Sequence, residues 1–258
     1  NLVPHVAFED LLTTGEYTGG SVGPVMNRLS GAKAPLDGRM LTFEANEGAN
    51  LLHSGKDGIH RKLWDVVEAT DTRVVFALEL APDSFPGNRR IEVCYAVDAD
   101  ELHLDITATT DAATLMNVGF HPYWTLTGGG PTDHEVTVAA ERFVKATPDN
   151  IPTGEIVSVA GTDRDFRTAR VPDMGIDNSF ELTQSERPAK AVRLNGGGFA
   201  LDVITDAPAI HVFTGQPYGI AVEPEIFPDA PNQPGFPSIR LGPDQTFRQK
   251  TIHRFSRS

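Results

Sequence analysis

No segment of this chain sustains a 3.6-residue apolar period. What recurs is a short run of β-branched and aromatic residues closed by glycine, proline or an aspartate pair. Residues 74–80 (VVFALEL), 91–97 (IEVCYAV), 102–109 (LHLDITAT) and 136–140 (VTVAA) are such runs, followed by 191–194, 199–205, 210–214 (IHVFT) and 219–225. Several alternate apolar with polar residues, the two-residue period of a strand with one buried face. Asp37–Gly38, Asp98–Ala99–Asp100 and the glycines at 196–198 carry turn chemistry between them, and Gly128–Gly130 also reads as a hairpin turn. The pattern predicts an all-β fold: a large antiparallel β-sandwich with little helix, in a single domain over 1–258. Two stretches read as long loops. One is 143–167, which lacks periodicity. The other is 224–242, where Pro224, Pro228, Pro231, Pro234 and Pro237 exclude a central strand because each removes a ladder donor.

The remaining composition narrows function. Cys94 is the one cysteine, so no internal disulfide and no zinc ribbon can form. A net charge of −13, from 22 basic and 35 acidic residues, disfavours nucleic acid and anionic membrane surfaces as partners. No apolar run reaches the length of a membrane span. The chain opens at Asn1 with no methionine and no signal-like stretch, so a cytoplasmic location and a missing natural start are expected.

The eight histidines (His5, His53, His60, His103, His121, His134, His211 and His253) show no metal-binding spacing, and no metal is expected. P-loop, dinucleotide and nucleophile-elbow motifs are absent. Three segments carry possible chemistry. Residues 117–126 (NVGFHPYWTL) gather His121 and Trp124, read either as aromatic packing on an edge strand or as a sugar platform with a proton donor. Residues 221–232 (AVEPEIFPDAPN) place Glu223 and Glu225 on one side of an extended chain, read either as surface acids or as a base with a raised pKa. Residues 46–64 bring His53, His60 and Arg61 together in a glycine-rich stretch, while Asn27, Arg28 and Asp177 taken singly read as turn or cap residues.

In order, these segments resemble the aldose 1-epimerase (mutarotase) family across nearly the whole chain. GPVMNRL (23–29), NEGANLLHSGKDGIHRKLW (46–64), the strand series 85–126, IPTGEIVSVAGTDRDFR (151–167), GIDNSFEL (175–182) and IAVEPEIFPDAPNQPGF (220–236) each resemble a family segment. The resemblance implies a β-supersandwich that interconverts the α and β anomers of a free aldose without a cofactor, as a monomer or homodimer. It implies Glu223 as the base, His121 as the acid, and Asn27, Arg28, His53, Asp177, Trp124 and His211 as residues that hold the sugar. Phe120, Trp124, Thr125, His211 and Glu225 depart from the usual residues around the substrate, which bears on sugar preference. The chain is also shorter than typical galactose mutarotases, with the shortfall expected among the N-terminal strands. A hexose-6-phosphate 1-epimerase, which would need Arg28, Arg61 and Lys62 near the sugar's C6, is the rival within the class. A non-catalytic carbohydrate-binding module and a glycoside hydrolase are the rivals outside it.

Overall fold

The computed structural model describes residues 17–258; His5 falls outside them. The alternating runs form strands. Eight make one antiparallel sheet in the order Glu135–Val138, Ala189–Gly196, Phe199–Thr205, Phe247–Arg257, Glu101–Thr110, Arg89–Asp98, Arg73–Leu80, Asp65–Ala69. Six make a second, in the order Tyr123–Trp124, Ile220–Glu225, Ala209–Phe213, Asp177–Glu181, Arg142–Ala146, Pro152–Ser158. Helix among the described residues is confined to five three-residue 3₁₀ turns. No helix there is long and apolar enough to cross a membrane.

The two sheets share one core. Val136, Val138, Leu194, Leu201 and Val203 from the larger sheet meet Phe180, Ile210, Val212, Ile220 and Val222 from the smaller in a single buried cluster. Because strand side chains alternate, burying Ile210, Val212, Ile220 and Val222 turns His211, Glu223 and Glu225 to the opposite face of the smaller sheet. Ser179 pairs in register with His211, and His211 with Glu223.

The expected turns at Asp37–Gly38 and Ala99–Asp100 join paired strands. So does Gly197–Gly198, both at positive φ; a Cβ on Gly197 would sit 2.6 Å from the Leu126 carbonyl oxygen. Three expectations need correction. Gly128–Gly130 is no hairpin, because the flanking strands pair into different sheets. Much of 143–167 is a hairpin at the edge of the smaller sheet. A register shift between Val144 and Ala146 obscures its period, and Pro152 opens the edge strand, where a missing N–H costs no ladder bond. Pro224 lies inside a strand: the next strand covers only Ile220 and Ala221, so that side of Pro224 has no partner in the sheet.

Phe180 is fully buried and packs on Phe143 and Phe166. Phe180→Ala is expected to cost about 3–5 kcal/mol of unfolding free energy in a urea titration.

Candidate active site

A cluster of buried ionisable side chains lines a cleft of about 220 Å³ on the face of the smaller sheet turned away from the core. That volume lies below the range typical of drug-sized ligands. Asp177, His211 and Glu223 reach it from three neighbouring strands. His121 and Tyr123 reach it from the segment that leads into the edge strand.

Two short ladders close the other side. Gly20–Val22 pairs with Gly119–His121 and holds the histidine strand from outside the main sheets. Asn117 ties the same segment to the end of the Glu223 strand: its amide donates to the Ile226 carbonyl at 2.9 Å, and its oxygen accepts the Ile226 N–H at 3.0 Å. Arg28–Leu29 pairs with Leu51–Leu52, flanked by Asn27 and His53, both left-handed at φ 59° and 48°. Such backbone is uncommon for non-glycine residues and recurs at functional sites. Here two bonds hold it: the His53 N–H donates to the Asn27 carbonyl at 3.0 Å, and the Asn27 N–H donates to His53 Nδ1 at 3.1 Å. The second bond makes Nδ1 an acceptor, so neutral His53 carries its proton on Nε2. Burial, then the nearby His121 and Arg28, keep His53 well below the usual histidine range.

His121 Nε2 lies 3.5 Å from Glu223 Oε1, both side chains nearly fully buried. Burial pushes Glu223 up to about 8, with Glu225 and Asp177 adding and His211 and Arg28 opposing. Burial lowers His121 to about 3. Around neutral pH the pair therefore holds one proton, resting on the carboxyl. Tyr123 is also pushed up, by burial and by Glu223.

A row of alternating charges forms the floor. Arg28 donates to both Glu47 oxygens at 2.7 and 2.9 Å and to Asp177 at 3.3 Å. Asp177 also accepts from the Asn150 amide at 2.9 Å and lies 2.8 Å from His211 Nε2. Burial opposes the charge on Asp177, yet the His211 bond and Arg28 bring it down to about 2. Burial likewise opposes a charged His211, and its bonds to Asp177 and Glu225 bring it up to about 10.

Of the residues singled out from sequence, Asn27, Arg28, His53, His121, Asp177, His211 and Glu223 line this cleft. Trp124 does not. It is 3% exposed in the core between the sheets, packed on His253 and Phe255. The reason is alternation: with His121 facing the cleft, residue 123 shares its side and 124 faces away. Tyr123 is the aromatic that lines the cleft, its ring centroid 5.1 Å from that of His121 and 5.2 Å from that of Tyr218. The i+2 rule applied to His121 identifies Tyr123, and applied to Asp177 it identifies Ser179. Applied to His211 it identifies Phe213, whereas Glu47, Tyr17, Gln216 and Tyr218 also line the cleft and carry no signal in the sequence alone.

His53, His121 and Glu223 each offer a ligand atom within 4.8 Å of the others. Two imidazoles and a carboxylate can bind a zinc-like ion. The bond into His53 Nδ1 opposes it, since a metal on Nε2 would drive the ring proton to Nδ1, against the Asn27 N–H. The donor set does not fit a resident metal.

The chain is similar to known proteins over most of its length. A sequence model described as aldose 1-epimerase matches residues 3–254. The chain is 32% identical to a galactose mutarotase of Bos taurus over 96% of its own length and 81% of that protein's. It is 28% identical to an aldose 1-epimerase of Escherichia coli K12, over 93% and 80%. A crystal structure of a GalM/aldose epimerase homologue from C. elegans superposes with a TM-score of 0.91 at 27% identity, covering 99% of this chain and 87% of that one.

Asp177→Asn removes the carboxylate shared by Arg28 and His211 and is expected to cost about 3 kcal/mol or more at pH 7. Asp177 has a lowered pKa, so its contribution is present above about pH 4 and lost as the pH falls toward 2. Urea titrations from pH 7 to 3 should show the gap between variant and wild type narrowing below pH 4.

Proposed function

This chain belongs to the aldose 1-epimerase family, and on that premise we propose that it interconverts the α and β anomers of a free aldose, with Glu223 as base and His121 as acid. The observation that carries the assignment is the buried pair at 3.5 Å on one cleft wall. The two oxygens that exchange protons in this reaction, the anomeric hydroxyl and the ring oxygen, are both bonded to C1. A base and an acid that serve them must sit side by side. Glycosidic hydrolysis usually asks instead for two carboxylates about 5 Å or more apart on either side of the bond.

Proton transfer from the Glu223 carboxyl to His121 creates a carboxylate and an imidazolium without exchange with solvent. The carboxylate takes the proton from O1 as the C1–O5 electron pair moves to O5, and O5 takes the proton from His121. The product is the open aldehyde. Rotation about C1–C2 presents its other face, and closure runs the same transfers in reverse: O5–H returns its proton to His121, and O1 regains one from Glu223. Burial strengthens each transfer by excluding water from the reacting groups. Arg28, Asp177, His211, Asn27 and the Nε2–H of His53 would hold the remaining hydroxyls, which sets the near-attack geometry.

A neutral sugar fits the wall better than a phosphosugar. Arg28 is already engaged by Glu47 and Asp177, so a phosphate would have to displace a carboxylate to reach it. A binding module would gain nothing from a buried, half-satisfied carboxyl: Glu223 Oε2 makes no hydrogen bond among the described residues.

Polarimetry of freshly dissolved α-D-glucose, α-D-galactose and α-D-glucose 6-phosphate tests the reading. Wild-type protein is expected to accelerate mutarotation of at least one free sugar over the phosphosugar. His121→Ala and Glu223→Gln should each lose about 100-fold or more. Unchanged mutarotation with sugar still bound would favour the binding module, and preference for the phosphosugar would overturn the neutral substrate.

A further inference from the structure

Glu225 has no place in the proton transfers above. It is fully buried, lines no part of the cleft, and its Oε2 makes no hydrogen bond among the described residues. A buried carboxylate left half satisfied is destabilising, and a neutral side chain of the same shape would pack there at less cost. Its other oxygen accepts a short hydrogen bond from the Ser179 hydroxyl. That hydroxyl lies 3.0 Å from His211 Nδ1, and Glu225 Oε1 itself lies 3.4 Å from the same nitrogen. On the far side of the ring, His211 Nε2 meets Asp177 at 2.8 Å.

Strand pairing explains how these groups meet. Ser179 lies opposite His211 and His211 opposite Glu223, with Glu225 two residues further along on the same face. His211 is thus bracketed by two carboxylates, one at each ring nitrogen, with a hydroxyl that accepts from Nδ1 and donates to Glu225. A neutral ring carries a single N–H and can donate to only one of the two carboxylates, its other nitrogen being left to accept from the Ser179 hydroxyl or from the Asn27 amide, which lies 3.2 Å from Nδ1. An imidazolium serves both.

We propose that Glu225 is a positioning residue for the epimerase reaction: through Ser179 it holds His211 as an imidazolium with Nε2 fixed on Asp177, and so sets the charge and shape of the wall that faces the sugar. The inference rests on the epimerase reading for its kinetic consequence, while the charge state of His211 stands apart from it. Every charged or titratable group facing His211 enters the balance. Asp177 sits on one neighbouring strand, Glu223 and Glu225 on the other, Arg28 and His53 come from the short ladder, and His121 from the segment above. The core side offers only Ile210 and Val212. Among these groups Glu225 is the carboxylate that reaches His211 at Nδ1 without lining the cleft.

The test is an NMR titration of the His211 imidazole in the full-length protein, paired with KM and kcat against pH for an accepted free aldose. In wild type, His211 is expected to stay protonated from pH 6 to 9. In Glu225→Gln its titration should move down by about two and a half pH units or more, to between about pH 7 and 7.5. Because the ring is charged below its pKa and neutral above, the variant should match wild-type KM within twofold at pH 6. It should show a KM about tenfold higher at pH 8.5, with kcat within about threefold. Ser179→Ala, which keeps both charges, should shift the titration in the same direction by less. A wild-type His211 that loses its proton between pH 5 and 7, or a variant KM raised equally at pH 6 and pH 8.5, overturns the proposal. Absence of turnover in wild type would instead sink the epimerase reading and leave the titration result standing.

Discussion

The two-residue period of the smaller sheet is the constraint on which the rest depends. Phe180, Ile210, Val212, Ile220 and Val222 must be buried against the larger sheet, and each is fully buried. Once they are, no freedom remains over where Asp177, Ser179, His211, Glu223 and Glu225 point. A one-residue slip of any of these strands would put ionisable groups into the core and apolar ones into the cleft. The same interactions that stabilise the sandwich therefore set the geometry of its chemistry. The two short ladders at 20–22 and 28–29 need only bring His121, His53 and Arg28 up to a wall already in place.

The cleft carries its charge by alternation. Glu47, Arg28, Asp177 and His211 run negative, positive, negative, positive, each bonded to the next. Pairing of this kind lowers the cost of burying ions, though it seldom stabilises a fold outright. Glu223 stands outside the row. Its nearest counterpart is His121, too strongly desolvated to hold a proton near neutrality, and its own ionised form is disfavoured by burial. A carboxyl and an imidazole that share one proton, beside a rigid charged row, form a site able to move that proton with little reorganisation.

Much of this was legible in the sequence, for a physical reason. Alternation in 210–214 and 219–225 shows which residues are buried, and it puts Glu223 and Glu225 on one side. Family-like segments then point to seven residues that line the cleft. Trp124 does not reach the cleft because it lies three residues from His121, and an extended chain points residues an odd number apart to opposite faces. Glu47 was missed for another reason: its role comes from a partner 19 residues away, Arg28. Long-range pairing of that kind leaves no local trace. One proline misled as well. Pro224 looks like a strand breaker, yet it sits in a strand where one side lacks a partner within the sheet.

The central claim is that Glu223 and His121 work as a pair holding one proton between them. The direct measurement is kcat/KM for anomerisation of a free aldose against pH, with the spontaneous rate subtracted. The pair keeps its single proton until Glu223 loses it near pH 8, so the profile should be level from about pH 5 to 7 and fall about tenfold per unit beyond about pH 8. An enzymatic rate that continues to climb through pH 8 would mean that Glu223 acts without a shared proton, and would contradict the account.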